Sequence, residues 1–274
     1  MNLAASRSAV PRLEWRTEAP STNSELVAAA SGPEAGSWPD LSVLATDNQT
    51  SGRGRLDRRW VAPAGRSLAI SILLRPAEAT DAPLPFEAYG WISLIAGVAM
   101  TRALRPFVEN TAENPGAAPR TSVKWPNDVL IEGAKVSGIL SELVPGTPDV
   151  VVGAGVNLFL TVDELPVATA TSLQLAGATD FTADTVLAAY LLAFTELYRA
   201  FVRHGGDAVA SGVARAVTDA CGTLGQPVRV ELPGDTVVTG VATGLDELGR
   251  LIVATDGGGK TLVVSAGDVT HLRY

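Results

Sequence analysis

Four arginines stand within one short run, Gly52-Arg53-Gly54-Arg55-Leu56-Asp57-Arg58-Arg59-Trp60. Set against Asp57 alone, they concentrate positive charge, and the two glycines let the backbone come close to a ligand. Such a loop suits a phosphate or a carboxylate. The same residues also fit a solvated surface loop, or an arginine-glycine run that binds RNA, although a single compact copy lacks the repetition of the latter. Further along, Lys124-Trp125-Pro126-Asn127-Asp128, Lys135-Val136-Ser137-Gly138-Ile139-Leu140 and Gly153-Ala154-Gly155-Val156-Asn157-Leu158 bring more Lys, Asn and Asp. Alone, Trp125 and Pro126 read as core and turn, and Lys135 as an exposed strand end.

Other chemistries find little material. Gly257-Gly258-Gly259-Lys260-Thr261 has the look of a phosphate-binding loop, but Ala254 stands where its first glycine belongs and too little chain follows for a long helix, so a hairpin turn is expected. Gly153-Ala154-Gly155 follows a strand, yet Leu158 replaces the third glycine of a dinucleotide fingerprint. The chain has two histidines: His204, expected to meet a carbonyl at a helix end, and His271, expected to be structural in the last strand. No serine sits in a Gly-x-Ser-x-Gly elbow, and Cys221 is the single cysteine, which disfavours covalent catalysis and a thiolate zinc site.

The 274 residues hold 21 Lys and Arg against 29 Asp and Glu, a net charge of -8, so any anion site must be concentrated rather than spread over the surface. A lone cysteine cannot form an internal disulfide and points to a reducing, cytoplasmic setting. Arg7, Arg12 and Arg16 interrupt the N-terminal residues, which argues against a signal peptide. The apolar run 92–100 ends at Thr101 and Arg102, short of the ~20 residues that cross a bilayer, and no membrane partner is expected.

Apolar residues at three- and four-residue spacing predict a helix over 181–204 and another from Glu87 to about Leu104, with Pro106 as its stop. A shorter helix begins near Thr22, where Thr22 and Glu25 have capping-box spacing. Strands are expected over 42–45, 67–74, 129–131, 136–143 and 150–156, and residues 110–120 read as an exposed loop. After Cys221 the texture changes to short β segments over 227–232, 237–243, 250–255 and 261–265, separated by Gly and Asp turns. The expectation is an α+β domain over 1–222 and a small SH3-like β-barrel over 223–274.

Taken together in order and spacing, these segments resemble the catalytic domain of the biotin protein ligases. The resemblance rests on Ser21-Thr22-Asn23 ahead of a helix, Gln49 three residues before Gly52, the Gly-Arg-Gly-Arg loop ending in Trp60, Lys-Trp-Pro-Asn-Asp, Lys-x-x-Gly-Ile-Leu and Gly-x-Gly-x-Asn. It extends over most of the chain, and the small β tail fits the family's C-terminal domain. Leu56-Asp57, often with glycine second, and Ser137, often alanine, depart from the common pattern without touching an assigned side chain.

The resemblance implies a mixed β-sheet flanked by helices, of the class II synthetase type, and a two-step reaction. Biotin is activated by ATP to biotinyl-5'-AMP, and a lysine of a carrier domain then takes the biotin. Ser21, Thr22, Asn23 and Gln49 would bind the ureido ring. Arg53, Arg55 and Lys135, with Gly54 and Gly138, would hold the carboxylate and α-phosphate, Lys135 stabilising the transition state. Arg58, Trp60, Asn127, Asp128 and Asn157 would serve the nucleotide, with Asp128 a candidate to help place Mg²⁺; the metal ligands stay open. ATP and Mg²⁺ are implied as co-substrate and ion, with no permanently bound cofactor, and the acceptor as the biotin carboxyl carrier domain of an acyl-CoA or pyruvate carboxylase. Only 20 residues precede Ser21, too few for a three-helix DNA-binding domain, so no nucleic-acid partner is expected. The arginine loop is expected to close on ligand. Two rival readings remain: a lipoate or octanoate ligase of the same superfamily, and a non-enzymatic anion-binding module.

Overall fold

How small and large residues alternate along the central strands decides how the main sheet is covered. The computed structural model describes residues 2–55, 58–60, 62–79, 84–109, 121–232, 236–256, 259–265 and 268–271; the expected loop at 110–120, the Leu56-Asp57 departure and Gly257-Gly258 lie outside the described residues. In chain order the first nine strands are β1 (Arg12–Trp15), β2 (Ser42–Thr46), β3 (Gly52–Arg53), β4 (Arg59–Trp60), β5 (Ser67–Leu74), β6 (Thr121–Lys124), β7 (Asp128–Ile131), β8 (Ala134–Leu143) and β9 (Val150–Asn157). Seven of them form a mixed sheet in the order β1-β2-β5-β9-β8-β7-β6, parallel only between β1 and β2, while β3 and β4 make a separate hairpin. The helices are α1 (Ala4–Ala9), α2 (Thr22–Ser31), α3 (Pro76–Ala79), α4 (Gly90–Glu109), α5 (Ala183–Arg203) and α6 (Val213–Ala220).

Strand β5 shows why the two faces differ. Leu68, Ile70, Ile72 and Leu74 alternate onto the face shared with α4 and α5, and join the main core. On the other face Leu73 meets Leu44 and Val151 beneath Leu26 and Ala30 of α2. Beyond α2 that face is nearly stripped of side chains: Ala69, Gly155 and Gly138 lie in one cross-strand row, and Ser71, Gly153 and Leu140 in the next. The result is a trough in the sheet where a core would otherwise fill.

Most predicted elements are present, and the differences have physical reasons. Helix α4 does not stop at Pro106 but runs through it to Glu109. Pro106 removes one hydrogen bond near the end of the helix, while buried Leu104 and Val108 and the Arg105–Glu109 ion pair hold the last turn. The cap of α2 is Ser21, whose hydroxyl accepts from the Ser24 amide, rather than Thr22; Glu25 turns to Arg16 instead of closing a capping box. Strands β1 and β6 and helices α1 and α6 are additional to the expected elements. Helices α4 and α5 are each long and apolar enough to span a bilayer, beyond what the 92–100 run suggested, but both are mostly buried and pack on each other.

The chain ends in β10 (Pro227–Leu232), β11 (Thr236–Leu245), β12 (Leu251–Thr255), β13 (Thr261–Val264) and β14 (Asp268–His271). They form an antiparallel sheet in the order β13-β12-β11-β10-β14, with a bulge at Ala242/Gly244 that bends β11 as an SH3-like barrel requires. The Thr255 amide donates to Lys260 O and β12 pairs antiparallel with β13, so the described residues flanking Gly257-Gly258 pair as a hairpin. Two indoles tie this sheet to the larger unit: Trp91 Nε1 of α4 donates to Glu247 O, and Trp125 Nε1, between β6 and β7, to Gly249 O, each at 3.0 Å.

Candidate active site

The trough is furnished from one end by the start of α2. The Thr22 amide and hydroxyl approach Gln49 Oε1 at 2.9 and 3.2 Å, and Ser71 Oγ lies 2.8 Å from Thr22 Oγ1 and 2.6 Å from Asn23 Oδ1. Asn23 Nδ2 donates to Leu140 O at 3.1 Å and to Glu142 Oε2 at 2.7 Å. With Ser21 at the cap, this end presents neutral donors and acceptors. It depends on Gly153, where a Cβ would stand 2.3 Å from Asn23 Oδ1.

The arginine hairpin lies over the trough, with Arg53 reaching back to α2 and Arg55 to Asn127. Gly52 pairs with Trp60 and Arg53 with Arg59, and the Gly54 amide donates to Arg58 O at 2.6 Å. Arg53 Nη2 reaches Ser24 Oγ at 3.0 Å and Glu142 Oε1 at 2.9 Å, and Arg55 Nη1 reaches Asn127 Oδ1 at 3.0 Å. The indole of Trp60 lies on Gly155 and Gly138: a Cβ on Gly155 would come within 2.4 Å of its Cε2, and one on Gly138 within 3.3 Å of its Cζ3. Trp60 Nε1 is buried there without a partner among the described residues.

Across the trough, Lys135 Nζ lies 2.6 Å from Asp128 Oδ1. The register between β7 and β8 shifts just past this point, at Val129/Leu130, a bulge that re-aims side chains beside the cavity. Asn127 is fixed by its Nδ2 on Ile139 O at 2.8 Å, and Asn157 by its Nδ2 on Thr171 O at 2.9 Å. The segment after β9 returns along Lys135, whose amide donates to Thr169 O and whose carbonyl accepts from the Thr171 amide, both at 2.8 Å.

All fourteen candidate residues line one cavity of about 430 Å³, from Ser21, Thr22, Asn23 and Gln49 through Arg53, Gly54, Arg55, Arg58 and Trp60 to Asn127, Asp128, Lys135, Gly138 and Asn157. Arg53, Arg55, Arg58, Arg59, Lys124 and Lys135 face it against Asp128 as its acid, among the described residues. Positive charge is therefore gathered here in a chain of net charge -8. Sequence reasoning missed Ser71 and Glu142. Ser71 had a signal, a hydroxyl inside an otherwise apolar strand; Glu142 had none beyond strand alternation with Gly138 and Leu140. Trp125 stays out of the ligand's way as a buried tie to the C-terminal sheet, its amide accepted by Thr223 Oγ1. His204 caps α5 with Nδ1 on Ala200 O, His271 Nε2 meets Thr223 Oγ1, and burial pushes the Cys221 thiol up, so none of the three enters the cavity. No group of three or more His, Cys, Asp or Glu that could hold a metal ion occurs among the described residues.

Residues 19–157 match the biotin/lipoate A/B protein ligase family, and residues 223–272 match the biotin protein ligase C-terminal domain. Fold and cavity thus define a two-part ligase of the biotin/lipoate class. A biotin–acetyl-CoA-carboxylase ligase of Mycobacterium tuberculosis is 39% identical over 92% of this chain and 86% of its own length; one from Paracoccus denitrificans is 33% identical over 91% and 96%. The solved biotin protein ligase of Aquifex aeolicus in complex with biotin and ATP superposes with a TM-score of 0.73, at 28% identity over 96% of this chain and all of that one. The chain belongs to the biotin protein ligase family.

Proposed function

We propose that this protein joins biotin to ATP, giving biotinyl-5'-AMP and pyrophosphate, and then passes biotin to a lysine of a biotin carboxyl carrier domain of an acyl-CoA or pyruvate carboxylase. The observation that carries this reading is the make-up of one cavity: neutral donors and acceptors at the start of α2 suit an uncharged ureido ring, and the hairpin arginines and Lys135 gathered around the same cavity suit a carboxylate meeting a triphosphate. The match of the C-terminal region to biotin ligases disfavours the lipoate branch. Residues 1–222 would hold the reaction and 223–274 would form the barrel beside it.

In the first step a biotin carboxylate oxygen attacks the α-phosphorus and pyrophosphate leaves. Negative charge grows on the phosphoryl oxygens, and Lys135 with Arg53 and Arg55 stands ready to meet it without forming a covalent enzyme intermediate. Arg58 would take outer phosphates and Trp60 would wall the cavity, with Asn127 and Asn157 shaping the nucleotide's edge. In the second step the neutral amine of the carrier lysine attacks the acyl carbon, AMP leaves, and the amine loses a proton. Mg²⁺ would arrive as the ATP complex, since phosphates and water supply most of its ligands and Asp128, already on Lys135, offers a single carboxylate. The single, buried Cys221 supports a cytoplasmic setting.

Pyrophosphate release from MgATP, measured with biotin, lipoate or octanoate, tests the reading. Release with biotin that falls about 100-fold or more in Lys135→Ala is expected, the scale of one lost transition-state donor. Release only with lipoate or octanoate would return the protein to the rival branch, and none with any acid would leave a binding module.

A further inference from the structure

Glu142 lies in β8 on the trough side, four residues past Gly138, and reaches two parts of the site at once. Its Oε2 accepts from Asn23 Nδ2 at 2.7 Å, and both its oxygens lie within 3.1 Å of Arg53 Nη2. Among the described residues Arg53 makes its side-chain hydrogen bonds, to Ser24 and Glu142, through Nη2. Its Nε and Nη1 are thus left for an incoming anion, and the side chain lines the cavity. A free arginine at this half-exposed position would have to surrender rotamer freedom on every encounter with an anion; one anchored at a single nitrogen has surrendered it beforehand. The same carboxylate fixes the Asn23 amide, because Nδ2 turned toward Glu142 and Leu140 O leaves Oδ1 facing Ser71. A continuous chain of contacts therefore runs Gln49, Thr22, Ser71, Asn23, Glu142, Arg53, beginning and ending on the segment that carries the arginine hairpin.

We propose that Glu142 is a positioning residue for biotin activation: it anchors Arg53 through Nη2 so that the rest of the guanidinium is presented to the carboxylate and α-phosphate. The proposal rests on the ligase reading above. A carboxylate merely competing with the ligand for Arg53 would have the opposite effect, since its removal would free the arginine and quicken the reaction.

Biotin-dependent pyrophosphate release is measured for the wild type, Glu142→Ala, Glu142→Gln, Arg53→Ala and the double variant Arg53→Ala/Glu142→Ala. Glu142→Ala should lower kcat about tenfold or more, Glu142→Gln should restore it to within about threefold because its carbonyl still accepts from Nη2, and once Arg53 is alanine Glu142→Ala should lower kcat by no more than about threefold, with what remains of its effect, through Asn23, falling on the KM for biotin. Should Glu142→Ala lose cooperative unfolding, Glu142→Asp, which draws the carboxylate back by one methylene, takes its place with the same expected fall. Equal activity in Glu142→Ala and wild type, a faster variant, or a full additional loss in the Arg53→Ala background would each overturn the proposal. A wild type that releases no pyrophosphate would overturn the ligase reading itself, which separates the two failures.

Discussion

A methyl group on Gly155 would meet the indole of Trp60 at 2.4 Å, so this glycine is the seat on which the cavity wall rests. Gly155→Ala is expected to lift Trp60 toward the ligand space and raise the KM for ATP about tenfold, with the unfolding midpoint little changed because the crowding falls on the cavity rather than the core; steady-state kinetics beside thermal unfolding checks it. Unchanged KM would mean that the indole can slide without consequence. Asp128 holds Lys135 at 2.6 Å, and Asp128→Asn should leave the lysine in place less of the time, lowering kcat for pyrophosphate release more than it changes the KM for biotin. An effect confined to the KM for biotin would count against that role. Lys135 itself was visible as a motif residue, but its partner was not: Asp128 is seven residues away in the chain and is brought opposite by the β7–β8 turn.

Among the elements, the arginine hairpin is held in large part by polar contacts of its described residues. Of its described residues Gly52 is buried, while Arg53 and Arg59 are exposed, and its ties to the rest of the chain include polar contacts of Arg53 and Arg55 and the seat of Trp60. Elements held by few apolar contacts open at low cost. Trypsin cleavage after Arg53 and Arg55 is therefore expected to slow severalfold once biotin and ATP are bound, read by mass spectrometry of the fragments; equal rates with and without ligand would show that the hairpin does not close. The C-terminal sheet is tied differently, by the buried indole hydrogen bond from Trp125 to Gly249 O. Trp125→Phe removes the donor, leaves that carbonyl unpaired and should cost about 1–3 kcal/mol in urea unfolding. A loss below about 0.5 kcal/mol would show that water or a neighbour replaces the bond.

At the scale of the whole molecule, the far end of the sheet from the cavity carries a buried polar knot. Asp40 Oδ1 accepts from the Arg75 amide at 2.8 Å and from Tyr198 Oη at 3.1 Å, and Arg75 Nη1 donates to Asp149 Oδ2 at 2.7 Å. Burial pushes the carboxyls of Asp40 and Asp149 above their ordinary 3.8, with the charge of Glu78 adding to the rise in both. A carboxyl raised by folding binds its proton more readily folded than unfolded. Its share of stability is full below 3.8 and fades as the pH climbs through the folded value. Asp40→Asn keeps the acceptor oxygen and removes the titration. Relative to wild type it should therefore become progressively more stable as the pH rises from about 4 to about 7, followed by urea unfolding. Parallel stability curves would mean that Asp40 does not titrate differently on folding.

What the residues alone determined is considerable: the period-two and period-3.6 patterns located the central strands and the two long helices, and the order of separate short motifs pointed to the family and to the fourteen cavity positions. These signals are local, since each depends on side chains within one strand, one helix turn or one loop. Helix α4 running through Pro106 was hidden because the burial of its own Leu104 and Val108 in the core outweighs the hydrogen bond lost at proline. Strands β1 and β6 were hidden because four-residue segments carry too little pattern of their own and form only by pairing with a neighbour. The cavity's working contacts, Glu142 on Arg53, Asp128 on Lys135, Ser71 between Thr22 and Asn23, and Trp60 on Gly155, join residues from different strands and loops. Only the tertiary structure decided them, because they exist when cross-strand register stacks small residues into a trough and lets distant side chains meet above it.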